Sequence, residues 1–185
     1  MKTIKVYAAG KISKESVFKT HSWRDDFCKE LSAKSGFEIV NLDTTKADED
    51  FDFDQGNPEL IVGRNCFMIQ KADLVIAYLS DDISVGGSQE MLIAKYFKRP
   101  LLGIAPKNGK FNASEKEVLG RTYKDYIDPF VAVSCDAVVA DIDEAARFIK
   151  EFFSREARKA KGLHILDDAT AYYLKQFYPS DRVMH

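Results

Sequence analysis

The sequence predicts an α/β protein with an open, mainly parallel five-stranded sheet and helices on both faces. Three observations carry that expectation. Short apolar runs alternate with longer amphipathic ones along the chain, the pattern of repeated βα units. The run from Leu74 to Leu79 is apolar throughout, as in a strand buried on both faces. Gly10, Gly36 and Pro100 fall at the junctions between runs, where a turn or a break is needed.

The elements follow in order. Lys2–Ala9 reads as the first strand and ends at Gly10. A helix over Lys14–Lys34 places Trp23, Phe27 and Leu31 inward at spacings of four, with Trp23 in the core and Arg24 at its rim. Phe37–Leu42 is the second strand. Residues 43–57 turn polar and acidic, as in a long surface loop of the kind that often serves as a lid. Pro58 suits the first turn of a helix running to Lys71, with Leu60, Ile61, Phe67, Met68 and Ile69 largely inward. Asp73–Leu79 is the third strand, and Ser88–Phe97 a helix with Glu90 in its first turn. Leu101–Ala105 is the fourth strand, Ser114–Tyr126 a helix, and a fifth strand lies within Phe130–Ala140. Asp141–Lys161 is a strongly amphipathic helix. The chain divides into a domain over residues 1–162 and a helical tail over 163–185, whose aromatic residues suit docking on the domain or on a second subunit. The whole is a flavodoxin- or Rossmann-like pattern.

The chain's 185 residues can bury a real core as one domain. A net charge of -2 gives no general reason to expect a nucleic-acid polymer as partner. No apolar run approaches the ~20 residues a membrane helix needs, and the start of the chain is too charged for a signal peptide. Cys28, Cys66 and Cys135 are odd in number and widely spaced, which argues against a disulfide framework and fits a reducing cytoplasm. The histidines show no ligand spacing, so neither metal nor cofactor is expected.

Chemistry concentrates where strands end. Open α/β sheets bind ligands at the carboxyl edge of their strands. Three segments meet there: Tyr7 to Ser13, Asn41 to Asp43, and Ser84 to Glu90. Tyr7 offers a hydroxyl and Gly10 close backbone approach. Gly86, Gly87 and Ser88 offer amides at a helix start, suited to a phosphate or another anion. Lys11, Ile12 and Ser13 follow the first strand and can meet substrate. Glu90, near a helix N-terminus that favours its charged form, is a candidate nucleophile or base. Taken alone it reads more readily as a first-turn acid that steadies its helix. Asp73 reads as a structural residue at the head of its strand.

These residues resemble the nucleoside 2-deoxyribosyltransferase superfamily, which includes the 2′-deoxynucleoside 5′-phosphate N-hydrolases. Members open with a strand ending in a Tyr-x-x-Gly-x-Ile pattern, met by Tyr7, Gly10 and Ile12. Ala-Asp-Leu/Val-Val follows, met by Ala72, Asp73, Leu74 and Val75. A glycine-rich helix start then carries the nucleophile, matched by Gly86 and Glu90, and a basic-Pro turn by Arg99-Pro100. The likeness spans roughly the first 105 residues. It implies attack by Glu90 on the anomeric carbon, a covalent glycosyl-enzyme and its resolution by water or a second base, in the manner of a retaining glycosidase. It also implies a homo-oligomer, with the Pro58–Lys71 and Glu90 helices at the interface.

Two positions depart from the transferase pattern. Six residues before Glu90, where transferases commonly carry an acid, stands Ser84, as in the phosphate hydrolases, where serine binds the 5′-phosphate. Eight residues before Asp73, where the family usually has a proton-donating Asp, stands Asn65. An amide can bond a base edge but cannot deliver a proton, so either Asp43 or an acid of the polar loop assumes that role, or the substrate and reaction differ. Two alternatives stand beside the N-glycosidic enzyme: a non-catalytic nucleotide-binding module, and a TIR-like enzyme cleaving a dinucleotide such as NAD.

Overall fold

A single parallel sheet in the strand order β2-β1-β3-β4-β7 organises the molecule. In the computed structural model, which describes residues 2–10, 23–43, 56–80, 83–154 and 159–184, its strands are β1 (Thr3–Ala9), β2 (Glu38–Asn41), β3 (Leu74–Tyr78), β4 (Leu101–Ile104) and β7 (Ala137–Val139). Between them run α1 (Trp23–Ser35), α2 (Pro58–Lys71), α3 (Val85–Tyr96) and α4 (Pro129–Ser134), followed by α5 (Ile142–Ser154) and α6 (His164–Gln176). A separate hairpin joins β5 (Asn112–Val118) to β6 (Arg121–Ile127). All four pairings in the main sheet are parallel. From β1 the chain steps outward to β2, then crosses back to β3 on the other side. The β1/β3 seam is therefore the switch point at which such sheets open a crevice.

Period-two alternation distributes the strand side chains between two cores. Ile4, Val6 and Ala8 of β1 meet Trp23, Phe27 and Leu31 of α1 and Ala145 and Ile149 of α5. Tyr7 and Ala9 point to the opposite layer, with Ile69 of α2 and Met91 and Ala94 of α3. The register Tyr7↔Val75 carries the same division into β3.

Local chemistry fixes the helix ends. Asn57 accepts from the amide of Leu60 at 3.0 Å, with Pro58 opening α2 as expected. Asp141 accepts from the Glu144 amide at 2.8 Å while the Glu144 carboxylate accepts from the Ala140 amide at 2.8 Å, a reciprocal cap at the start of α5. Asp73 is structural, its carboxylate accepting from the Lys5 amide at 2.8 Å. A fully buried Lys95 donates to Asp136, which also accepts from the amides of Leu101 and Lys161, each at 2.7 Å. That carboxylate thereby ties together α3, β4 and the segment leading to α6. Burial pushes the Lys95 ammonium down, against the opposing pull of Asp136.

The structure corrects four expectations. Residues 114–126 form a hairpin rather than a helix. Its strands are largely exposed, so neither face leaves a hydrophobic period to read. The decisive signal is the two-residue turn, where Leu119 (φ 52) and Gly120 (φ 76) both adopt the left-handed region that a tight hairpin requires. Second, the helix expected over Asp141–Lys161 is described as α5 over Ile142–Ser154, and residues 159–161 are not helical. Third, Phe67 is 58% exposed rather than inward; of the five α2 residues expected inside, only Ile69 is fully covered. Fourth, α3 begins at Val85 with Ser84 as its cap, so Glu90 sits in the second turn. No helix among the described residues is long and apolar enough to cross a membrane.

Candidate active site

Tyr7, Asn65 and Glu90 converge from three elements beside the switch point. Alternation in β1 turns Tyr7 towards the α2/α3 layer, where its hydroxyl donates to Glu90 Oε1 at 2.7 Å. From α2, Asn65 Nδ2 donates to the same oxygen at 3.3 Å. A carboxylate accepts at both oxygens, and among the described residues Oε2 has no hydrogen-bond partner. One oxygen is thus held and the other left open.

The electrostatics differ from those expected of a first-turn acid. In the second turn of the helix, dipole support has largely faded. Burial is the largest influence and pushes the Glu90 carboxyl above its ordinary range. The Tyr7 hydroxyl, the charge of Arg24 and the Asn65 amide pull it back down. The net result is a desolvated carboxylate whose charged form rests on these three neighbours.

Arg24, expected at the rim of the core, lies inside it at 6% exposure. Its Nε donates to the Ala8 carbonyl at 2.9 Å and its Nη2 to the Gly10 carbonyl at 3.1 Å, with the guanidinium over the Trp23 ring at 4.8 Å. The signal was present: Arg24, Phe27, Cys28 and Leu31 recur at helical spacing on one buried stripe. Gly10 lies where an added Cβ would come within 3.2 Å of the Trp23 ring, so only glycine fits without displacing it.

The remaining expected residues fall as follows. Ser84 Oγ accepts from the Gly87 amide at 3.0 Å, and the Ser88 amide donates to the Ser84 carbonyl at 3.0 Å. Of the three amides expected to face an anion, Gly86 is the one these cap bonds do not use. The Ser88 hydroxyl is likewise engaged, donating to the Val85 carbonyl at 2.8 Å. Asp43 is buried just past the end of β2. Lys11, Ile12, Ser13 and most of the acidic loop lie outside the described residues. No cluster of three or more His, Cys, Asp or Glu among the described residues is arranged to hold a metal ion.

An apolar cavity of about 480 Å³ lies along α3, lined by Met91, Leu92, Phe111, Phe130, Ile165 and Leu166 among others. Tyr7, Asn65 and Glu90 are not part of its wall. Ser88 and Leu92, which are, flank Glu90 at two positions either side and so face away from it on a helix. The cavity and the carboxylate occupy opposite sides of α3.

Fold and site together define a flavodoxin-like α/β protein with a carboxylate at the switch point of its sheet. No family model matches the sequence, and no curated protein matches it significantly. Solved structures do share the fold. A conserved protein from Enterococcus faecalis V583 superposes with a TM-score of 0.59 at 12% identity, over 81% of this chain and 99% of that one. A 2-deoxyribosyltransferase from Bacillus psychrosaccharolyticus superposes at 0.50 with 16% identity, over 77% and 90% of the two chains. A CMP N-glycosidase from Clostridium botulinum aligns more loosely, at 0.43 and 15% identity over 80% and 98%.

Proposed function

We propose that the protein breaks the N-glycosidic bond of nucleosides or nucleoside 5′-monophosphates, with Glu90 as nucleophile. The observation that carries this reading is the one-sided grip on Glu90: Tyr7 and Asn65 both hold Oε1, which leaves Oε2 to attack C1′. Attack forms the ester bond to C1′ as the C1′–N bond breaks and its electron pair leaves with the base. Water, or a second base, then displaces the carboxylate. Sharing a fold with a 2-deoxyribosyltransferase supports the choice of substrate class.

The leaving base needs a proton that Asn65 cannot supply. In this reading Asn65 orients the nucleophile, and Asp43 is the acid offered by the neighbouring strand end. A 5′-phosphate would lie at the α3 start, receiving the Ser84 hydroxyl proton and the Gly86 amide. The exposed Val62 and Phe67 on α2, 57% and 58% accessible, suit packing against a second copy of the chain, and the site would then be completed in a homo-oligomer. A cytoplasmic location agrees with three free cysteines.

The test is chromatography of free base released from a panel of ribo- and deoxynucleosides and their monophosphates. Release that vanishes in Glu90→Gln supports the reading; equal release by that variant removes Glu90 from it. Nucleotide binding without turnover would instead favour a sensor module.

A further inference from the structure

We infer that Arg24 is a positioning residue of the Glu90 site: it clamps the carboxyl end of β1, so that Tyr7 is held on the carboxylate, and its permanent positive charge acts on that carboxylate. The inference rests on reading Glu90 as the reactive carboxylate and adds the residue that prepares it. Its first support is geometric. Arg24 bonds the carbonyls of Ala8 and Gly10, the residues next to and three beyond Tyr7, from the layer opposite the one that Tyr7 faces. The two bonds span the point where the strand ends and the backbone must diverge towards a ligand.

The second support is charge. A guanidinium is always protonated, and burying one is costly without a counterion. Among the described residues no carboxylate forms an ion pair with Arg24, and Nη1 is buried without a hydrogen-bond partner. A residue kept only for packing would be satisfied more fully. Glu90 is the carboxylate that feels this charge, together with the Tyr7 hydroxyl from β1 and the Asn65 amide from α2.

The experiment follows the Glu90 carboxyl by carbon-13 NMR titration in the full chain, in the wild type, Arg24→Met and Arg24→Lys. The titration needs no substrate, so its outcome is independent of whether nucleosides are turned over. Arg24→Met is expected to keep the wild-type amide spectrum except near the carboxyl end of β1, while the Glu90 midpoint moves to higher pH; Arg24→Lys, which retains the charge, moves it less. A folded Arg24→Met with an unmoved midpoint overturns the inference. Arg24→Lys also serves if Arg24→Met does not fold, because one ammonium cannot reproduce the two-pronged clamp. There kcat for base release should fall roughly tenfold to a hundredfold with KM little changed. Wild-type kcat in that variant would overturn the clamp.

Discussion

Tyr7 donates its hydroxyl proton to Oε1 of Glu90 across 2.7 Å, joining the first strand of the sheet to the helix that follows the third. The two residues are far apart in sequence, and the contact exists only because β1 and β3 are neighbours in register.

Removing that hydroxyl should move the acid limb of the reaction. Without it, burial of Glu90 is opposed only by Arg24 and Asn65, so its carboxyl is pushed further up. In Tyr7→Phe the rise of base release with pH should begin at higher pH than in the wild type, with the loss of rate greatest on the acid side. A pH–rate profile of both proteins checks this.

Glu90→Gln should lower kcat roughly a thousandfold or more, as expected when a nucleophile is lost, yet leave the fold more stable at neutral pH. A carboxyl whose folded pKa lies above its unfolded value destabilises the folded state once pH exceeds the unfolded value. That cost grows until pH passes the folded pKa. The Tm advantage of Glu90→Gln should therefore be largest at neutral pH and shrink on acidification through the Glu90 range. Calorimetry of both proteins across pH would show it.

Asp136→Asn should destabilise strongly. It leaves the Lys95 ammonium, 0% exposed, without its counterion, and breaking one partner of a buried pair costs about 3–5 kcal/mol. Adding Lys95→Met should recover part of that loss. Urea unfolding of the single and double variants measures the recovery.

Leu119→Asn should stabilise the hairpin. Leu119 holds φ 52 at 99% exposure, so it carries left-handed strain without compensating burial. Asparagine followed by glycine suits this turn, with a gain of about 1 kcal/mol given the strain a branched side chain bears there. Slower hydrogen exchange in β5 and β6 is the expected readout.

Where burial fell on apolar residues in regular runs, the structure could be read from the sequence. The sheet, α2, α3 and the Tyr7–Glu90 side of the site follow from apolar runs, from strand alternation and from Pro58 and Pro100 at their junctions. The hairpin escaped because its exposed strands carry alternating charges such as Glu115, Lys116 and Glu117, which look equally natural on a helix. Arg24 escaped for a related reason: its charge suggested solvent, although its spacing from Phe27 and Leu31 marked the inner face. The start of α3 was placed late because two glycines precede Ser88, and glycine is a poor helix former. The Ser84 cap overrides that propensity.

Glu90 is approached through β1 from both layers of the protein, by Tyr7 on one side and by the Arg24 clamp on the other. The Glu90 carboxylate therefore gauges how well two separate hydrophobic interiors are seated on a shared ribbon. A defect as remote as a shortened Leu31 would be felt there as a tilt of that ribbon, so the proposed activity should fade before the fold is lost.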